Sequence, residues 1–180
     1  WLGSPPTTLR RTASAGDVGR TYEPPARLRV ARAFVELCRV VPLALSAGIA
    51  ALVVLTLAAV LDRWGALVAV VVSGGVLAVA GLVAATLTTL AKWLLVGRHR
   101  PGGHPLWSSF VWRNELADTF VEVLAAPWFA RSVAGSPLLN LWFRAMGAQI
   151  GRGVWCETYW LPETDLVELG HGVTVNRGSV

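Results

Sequence analysis

Charge is missing from two long stretches of this chain, 22 residues from Val40 to Leu61 and 26 from Ala66 to Ala91. At about 1.5 Å per residue, a helix over either stretch exceeds the roughly 30 Å hydrocarbon core of a bilayer. Long helices of a soluble all-α protein keep a polar stripe, and neither stretch has one. The pattern therefore predicts a membrane hairpin turning at Asp62-Arg63-Trp64-Gly65. Cysteine is scarce as well: Cys38 and Cys156 stand 118 positions apart on the side expected to be reducing, which argues against a disulfide. The single methionine is Met146 and the chain begins at Trp1, so the sequence reads as a fragment. A signal peptide is a poor reading of the first run, which has 39 residues before it and outlasts an h-region of about 7–15. Motifs that interleave aromatic and basic residues are lacking, so nucleic acid is not an expected partner.

What is present fits a lipid bilayer as the partner. The chain is 54% apolar with a mean hydropathy of +0.53, and its net charge of +5 is carried largely by N-terminal arginines. Arg10, Arg11, Arg20, Arg27, Arg29, Arg32 and Arg39 precede the first run, and Lys92, Arg98, Arg100 and Arg113 follow the second. The turn has only Arg63 beside Asp62, so both termini are expected in the cytoplasm. Arg39, Trp64, Lys92 and Trp93 fall where interfacial aromatics and snorkelling cations belong. Gly74, Gly75, Ala78 and Gly81 would let another helix approach closely, and the first run is the expected neighbour. Ser46, Thr56, Ser73, Thr86, Thr88 and Thr89 can bond back to carbonyls of their own helices and call for no functional reading.

Five segments follow. Residues 1–25 hold four prolines and no apolar periodicity and read as a linker or the tail of a preceding domain. Arg10-Arg11-Thr12-Ala13-Ser14 within them reads as ordinary basic linker sequence. Residues 26–39 predict an amphipathic juxtamembrane helix with Leu28, Ala31, Val35 and Cys38 on one stripe; Pro42 marks the bend into the membrane. The hairpin occupies 40–96. Residues 97–147 predict a loop and interfacial helices. In the loop, Gly102-Gly103-His104 is similar to the site of carrier proteins whose next serine takes phosphopantetheine, but the next residue is Pro105. His99 and His104 have no Cys, Asp or Glu at ligand spacing and read as solvated or headgroup-facing. A helix over 108–126 is expected to keep Asn114, Asp118 and Glu122 on a wet face and to end at Pro127, and Ser136-Pro137 starts a short helix over 138–146 capped by Gly147.

From residue 148 the period changes. Ile150-Gly151-Arg152-Gly153-Val154-Trp155, Leu169-Gly170-His171-Gly172-Val173-Thr174 and Val175-Asn176-Arg177-Gly178-Ser179-Val180 share the hexapeptide register of a left-handed parallel β-helix. Residues 148–180 are therefore expected to be its first coils, with 156–168 bulging out of register. The fold class expected is an α-helical membrane hairpin with amphipathic helices, followed by the start of that β-helix.

Together with these hexads, Lys92-Trp93-Leu94-Leu95-Val96-Gly97-Arg98, His104-Pro105-Leu106-Trp107-Ser108-Ser109, Trp112-Arg113-Asn114-Glu115-Leu116, Ala126-Pro127-Trp128, Met146-Gly147-Ala148-Gln149-Ile150-Gly151 and Leu161-Pro162-Glu163-Thr164-Asp165-Leu166-Val167 make the chain resemble a family. That family is the C-terminal membrane region of bacterial nonribosomal peptide synthetases of the epsilon-poly-L-lysine synthetase type. The resemblance implies a bacterial inner membrane location and helix pairs alternating with acyltransferase-like β-helical domains that form amide bonds. It implies carrier-bound aminoacyl or peptidyl substrates from upstream modules, and ATP and phosphopantetheine used by the parent enzyme, neither bound by this fragment, which alone is expected to be inactive. A membrane-associated hexapeptide acyltransferase and a non-catalytic scaffold or export module stay open as alternatives. His171, Cys156, Glu157, Glu163 and Asp165 are the residues here able to serve acyl transfer, with His171 a weak candidate and the catalytic residues expected beyond Val180.

Overall fold

The computed structural model describes residues 23–179. The linker expected over 1–25 falls almost wholly outside them. Helix α1 (Ala26–Cys38) meets α2 (Val40–Trp64) at Arg39. Pro42 sits in the first turn of α2, and its missing N–H leaves the Cys38 carbonyl without an intrahelical partner, so the break comes three residues before the proline. Leu28, Val35 and Cys38 are half-buried while Ala31 is exposed, and a second apolar stripe, Val30, Phe34 and Leu37, faces outward.

The expected four-residue turn shrinks to Gly65 alone, because α2 runs through Trp64 and α3 (Ala66–Leu95) begins at once. Gly65 makes this possible at φ +81°, a conformation costly for a side chain with a Cβ. Each span buries only 11% of its most apolar stretch within the protein, the reverse of a soluble core helix, and both helices are long and apolar enough to cross a membrane.

Helix α4 (Ser109–Phe120), capped by the Ser108 hydroxyl, passes directly into a π-helix, Val121–Ala130. Pro127 does not end this segment: it lies inside it, where the wider turn accommodates a residue without an N–H, and Arg131 N–H bonds back five residues to the Ala126 carbonyl. The segment lies against the second half of α3, whose buried residues Ala80, Gly81, Ala84, Ala85, Thr88 and Lys92 form one stripe. A Cβ on Gly81 would stand 2.6 Å from the Trp128 carbonyl oxygen, whereas Gly74 and Gly75 have nothing within 4 Å. The close neighbour of the small-residue stripe is thus the π-helix at Gly81, and not the first span as expected. Two hydroxyls also depart from expectation: Thr88 Oγ1 donates to the Phe120 carbonyl at 3.3 Å, and Ser46 Oγ accepts from Trp128 Nε1 at 2.9 Å.

Helix α5 (Pro137–Ala145) follows Ser136, whose hydroxyl donates to the Val133 carbonyl instead of capping the helix, and Gly147 (φ +112°) ends it. The remaining strands are two residues each: β1 (Gln149–Ile150) pairs in parallel with β3 (Glu168–Leu169), and β2 (Trp155–Cys156) with β4 (Thr174–Val175). The left-handed β-helix expected here is therefore not evident among the described residues, which hold only these short strands and a 3-10 turn, Thr164–Leu166. Ile150, Val154 and Cys156 bury into a core with Phe129, Leu139, Trp142 and Phe143, so the strand segment and the helices share one interior.

Candidate functional site

Lys92 is expected to snorkel from the end of a span, but it is 2% exposed. The last turns of α3 aim it inward, and its Nζ donates to Asp165 Oδ2 at 2.7 Å. The same oxygen accepts from His99 N–H at 2.9 Å and meets His99 Nδ1 at 2.8 Å. Four parts of the chain meet here: the end of α3, the loop after it, α4 through Asn114, and the 3-10 turn. Gly147 permits the approach, since a Cβ there would lie 2.1 Å from Asp165 Oδ1. His99 is buried, not on a solvated loop as expected; its acidic partner is 66 residues away.

The charges of this knot are held in direct contact. Burial raises the Asp165 carboxyl pKa, but the His99 N–H, the Lys92 ammonium and the His99 ring outweigh that and hold it below the ordinary value. With a proton on Nδ1 for Asp165, a neutral His99 ring would present Nε2 as an acceptor to Asn114 Oδ1, 2.8 Å away. The contact is satisfied by an imidazolium or by an Asn114 amide turned to donate its nitrogen. Either way both ring nitrogens are held, so His99 is not a free general base.

Beside the knot opens a cleft lined by Asp118, Tyr159, Trp160, Leu161, Glu163 and Trp142, among others. Asp118 and Asn114 are half-buried there while Glu122 is exposed, so the face expected to be wet is wet only in part. Burial pushes the Asp118 carboxyl up to about 6; His99 lowers it, and Glu122, Glu115 and Glu163 raise it further. No hydrogen bond from the described residues contributes to that shift.

The expected site residues scatter. Asp165 is in the knot and Glu163, at φ +51°, is at the cleft. His171 is exposed, and its Nδ1 accepts from Arg152 N–H at 2.8 Å. Cys156 is buried; burial raises its thiol pKa, and its Sγ lies 3.3 Å from the Thr158 carbonyl. Glu157 accepts from Trp155 Nε1 at 3.2 Å. Among the interfacial residues, Arg39 pairs with Glu36 and Glu115, each at 3.1 Å, and Trp64 is exposed beside Arg63. Trp93 donates to the Ala145 carbonyl at 2.9 Å, and the Lys92 ammonium sits 3.6 Å from its ring centroid. His104 is exposed and stacks on Phe110 at 3.9 Å. Lys92, His99 and Asn114 are the members sequence reasoning missed as a group; no local spacing signals contacts 66 or 73 residues apart.

No known family profile matches the chain, and no solved structure matches it. Along 185 aligned residues it is 32% identical to the delta-poly-L-ornithine synthetase of Acinetobacter baumannii, an alignment that takes in 99% of this chain and 14% of that relative. The chain thus spans a small part of the relative's length. It is similar to a poly-amino-acid synthetase and carries two helices able by length and composition to cross a membrane.

Proposed function

We propose that this chain is the membrane-anchoring part of a synthetase that joins diamino acids by amide bonds, lying in the inner membrane with both ends in the cytoplasm. The observation that carries this reading is the similarity to a poly-ornithine synthetase along 99% of the chain, hairpin and strand segment together. The buried Lys92–Asp165 pair supports it by tying the end of a span to the strand segment. Activation with ATP and carriage on phosphopantetheine fall in this reading to other modules of the parent, whose carrier-bound aminoacyl or peptidyl groups are the substrates.

The same reading makes residues 148–180 the opening coil of a β-helical, acyltransferase-like domain. Three observations favour it: both strand pairs join residues 19 positions apart in parallel, Ile150 and Cys156 turn inward, and a Cβ on Gly151 would lie 2.7 Å from Gly170, where successive coils would stack. A membrane-associated acyltransferase acting without upstream modules shares these features, and the test below separates the two.

Membranes carrying the parent protein, given ATP and labelled ornithine or lysine, are expected to form a cationic polymer. In-frame deletion of residues 26–179 should abolish polymer but leave amino-acid-dependent pyrophosphate exchange into ATP. Polymer from the deleted protein at the undeleted level, or no exchange and no polymer from the intact parent, would overturn the reading.

A further inference from the structure

Contacts along α3 give each part of the crowded end a depth. With the hairpin crossing the bilayer as proposed above and Trp64 at the opposite face, a hydrocarbon core of roughly 30 Å takes up about 20 residues of α3, from Ala66 to near Ala85. The Trp128 carbonyl meets α3 at Gly81, and Trp142 Nε1 donates to the Ala85 carbonyl at 3.3 Å. Lys92, which holds Asp165, lies about 10 Å further along the helix. The far end of the π-helix therefore stands at the inner boundary of the hydrocarbon, and the knot lies on its cytoplasmic side. Arg131, the first charged residue after Glu122, enters the chain at this level. The turn that follows is pinned to the strand segment by Gly135 N–H, which donates to the Cys156 carbonyl at 2.7 Å.

A cavity of about 510 Å³ opens here, lined by Arg131, Glu157, Tyr159, Trp160 and Arg177 among others, and its size is within the roughly 300–1,000 Å³ of small-molecule sites. Both arginines are exposed. Tyr159 orients Arg131: the guanidinium donates to the Tyr159 hydroxyl at 3.2 Å and lies 5.2 Å from the ring centroid, a contact that uses one of its five N–H donors. Glu157 is the one carboxylate among the lining residues, and it already accepts from Trp155 Nε1. The Thr158 hydroxyl is taken up by the Trp160 backbone. Two guanidinium groups and one carboxylate leave the cavity with a net charge of about +1, which a phosphodiester neutralises and a phosphate monoester dianion would overshoot. Trp155, half exposed beside the cavity, and Trp160 on its wall are the aromatics expected at headgroup level.

We propose that this cavity binds the phosphodiester headgroup of an inner-leaflet phospholipid, held between Arg131 and Arg177. The proposal rests on the membrane reading above, which supplies the depth scale. The phosphodiester of a carrier arm is a soluble source of the same chemistry, but the depth of Arg131 favours the lipid, whose acyl chains continue into the hydrocarbon beside the spans.

Calorimetric titration of the chain in dodecyl maltoside micelles tests the site without reference to synthesis. The probes are dihexanoyl phosphatidylglycerol, dihexanoylglycerol, which lacks the phosphate, and the methyl ester of phosphopantetheine, a soluble phosphodiester of the carrier-arm kind. The phosphatidylglycerol is expected to bind about tenfold tighter than either of the others, or more. Arg131→Gln and Arg177→Gln should each weaken it about fivefold or more, and Arg131→Lys, which keeps the charge but not the fork, by less than Arg131→Gln. Arg152→Gln, an equal loss of charge outside the cavity, should change it less than about twofold. Arg177, exposed and apart from the Tyr159 contact, covers the case of an Arg131→Gln protein that does not fold. Equal binding of dihexanoylglycerol, or a loss in Arg152→Gln as large as in the cavity variants, overturns the proposal. Binding of the phosphopantetheine ester as tightly as the lipid also overturns it, by giving the cavity to a carrier arm. If the chain stays in membranes washed with carbonate, any of these results removes this site alone; a chain that carbonate releases removes the membrane reading on which it rests.

Discussion

Three N–H groups on one oxygen of Asp165 make it the most heavily engaged side chain of the site, and its partners Lys92 and His99 are as buried as it is. Removing one member of a buried ion pair strands the other's charge, at about 3–5 kcal/mol, whereas replacing both with apolar groups of similar size is far milder. Asp165→Leu is therefore expected to lower unfolding stability in detergent by that amount, and Lys92→Met with Asp165→Leu by clearly less than the sum of the single changes. Additive losses in a denaturant series would mean the two charges do not act as a pair. Asp118 has the opposite electrostatics. Its carboxyl is raised from 3.8 to about 6, so the folded state holds a proton that the unfolded chain releases in between, and stability falls as pH rises across that interval. Asp165, held low, contributes stability above its ordinary value that is lost only at more acidic pH. Asp118→Asn should accordingly flatten the melting profile between pH 4 and 6 and raise stability at pH 7 by about 1 kcal/mol after allowance for its half-exposed position.

At the scale of elements, the sequence predicted the helices well where one face alone decides them. The two charge-free runs, the juxtamembrane helix and the short helix after Ser136 all form within a few residues of their expected bounds. The π-helix was illegible because a proline after Ala126 ordinarily ends a helix, and only the packing of Trp128 against Gly81 shows what the wider turn accomplishes. That contact is testable against its neighbour. Gly81→Ala puts a Cβ 2.6 Å from the Trp128 carbonyl and is expected to cost about 1–3 kcal/mol, whereas Gly75→Ala meets open space and should be neutral or slightly stabilising. Equal melting temperatures for the two variants in detergent would show that the π-helix does not rest on α3 in solution.

For the whole molecule, the length of α3 sets the stance. Its 30 residues reach about 45 Å, some 15 Å more than the hydrocarbon thickness, and all of its buried positions lie in the half beyond Val79. The half next to Gly65 faces outward apart from α2, so the α4 and π-helical segment, the strands and the cleft gather around the far end, and Lys92 lies in protein rather than among headgroups. Hydropathy could locate the spans but could not say which half would acquire neighbours, because that depends on Trp128, Asp165 and His99 arriving from elsewhere in the chain. In the orientation proposed above, with both ends in the cytoplasm, this crowded end lies on the cytoplasmic side. Cys156 cannot report on that, since it is 1% exposed and would escape an impermeant thiol reagent on either side. Exposed positions can: in a chain with Cys38→Ser and Cys156→Ala, a cysteine introduced at Gly65 is expected to react on intact cells, and one at Arg177 only after the membrane is opened. Reaction at Arg177 on intact cells would place the cleft outside the cytoplasm, where neither ATP-dependent activation nor a carrier-bound substrate could serve it.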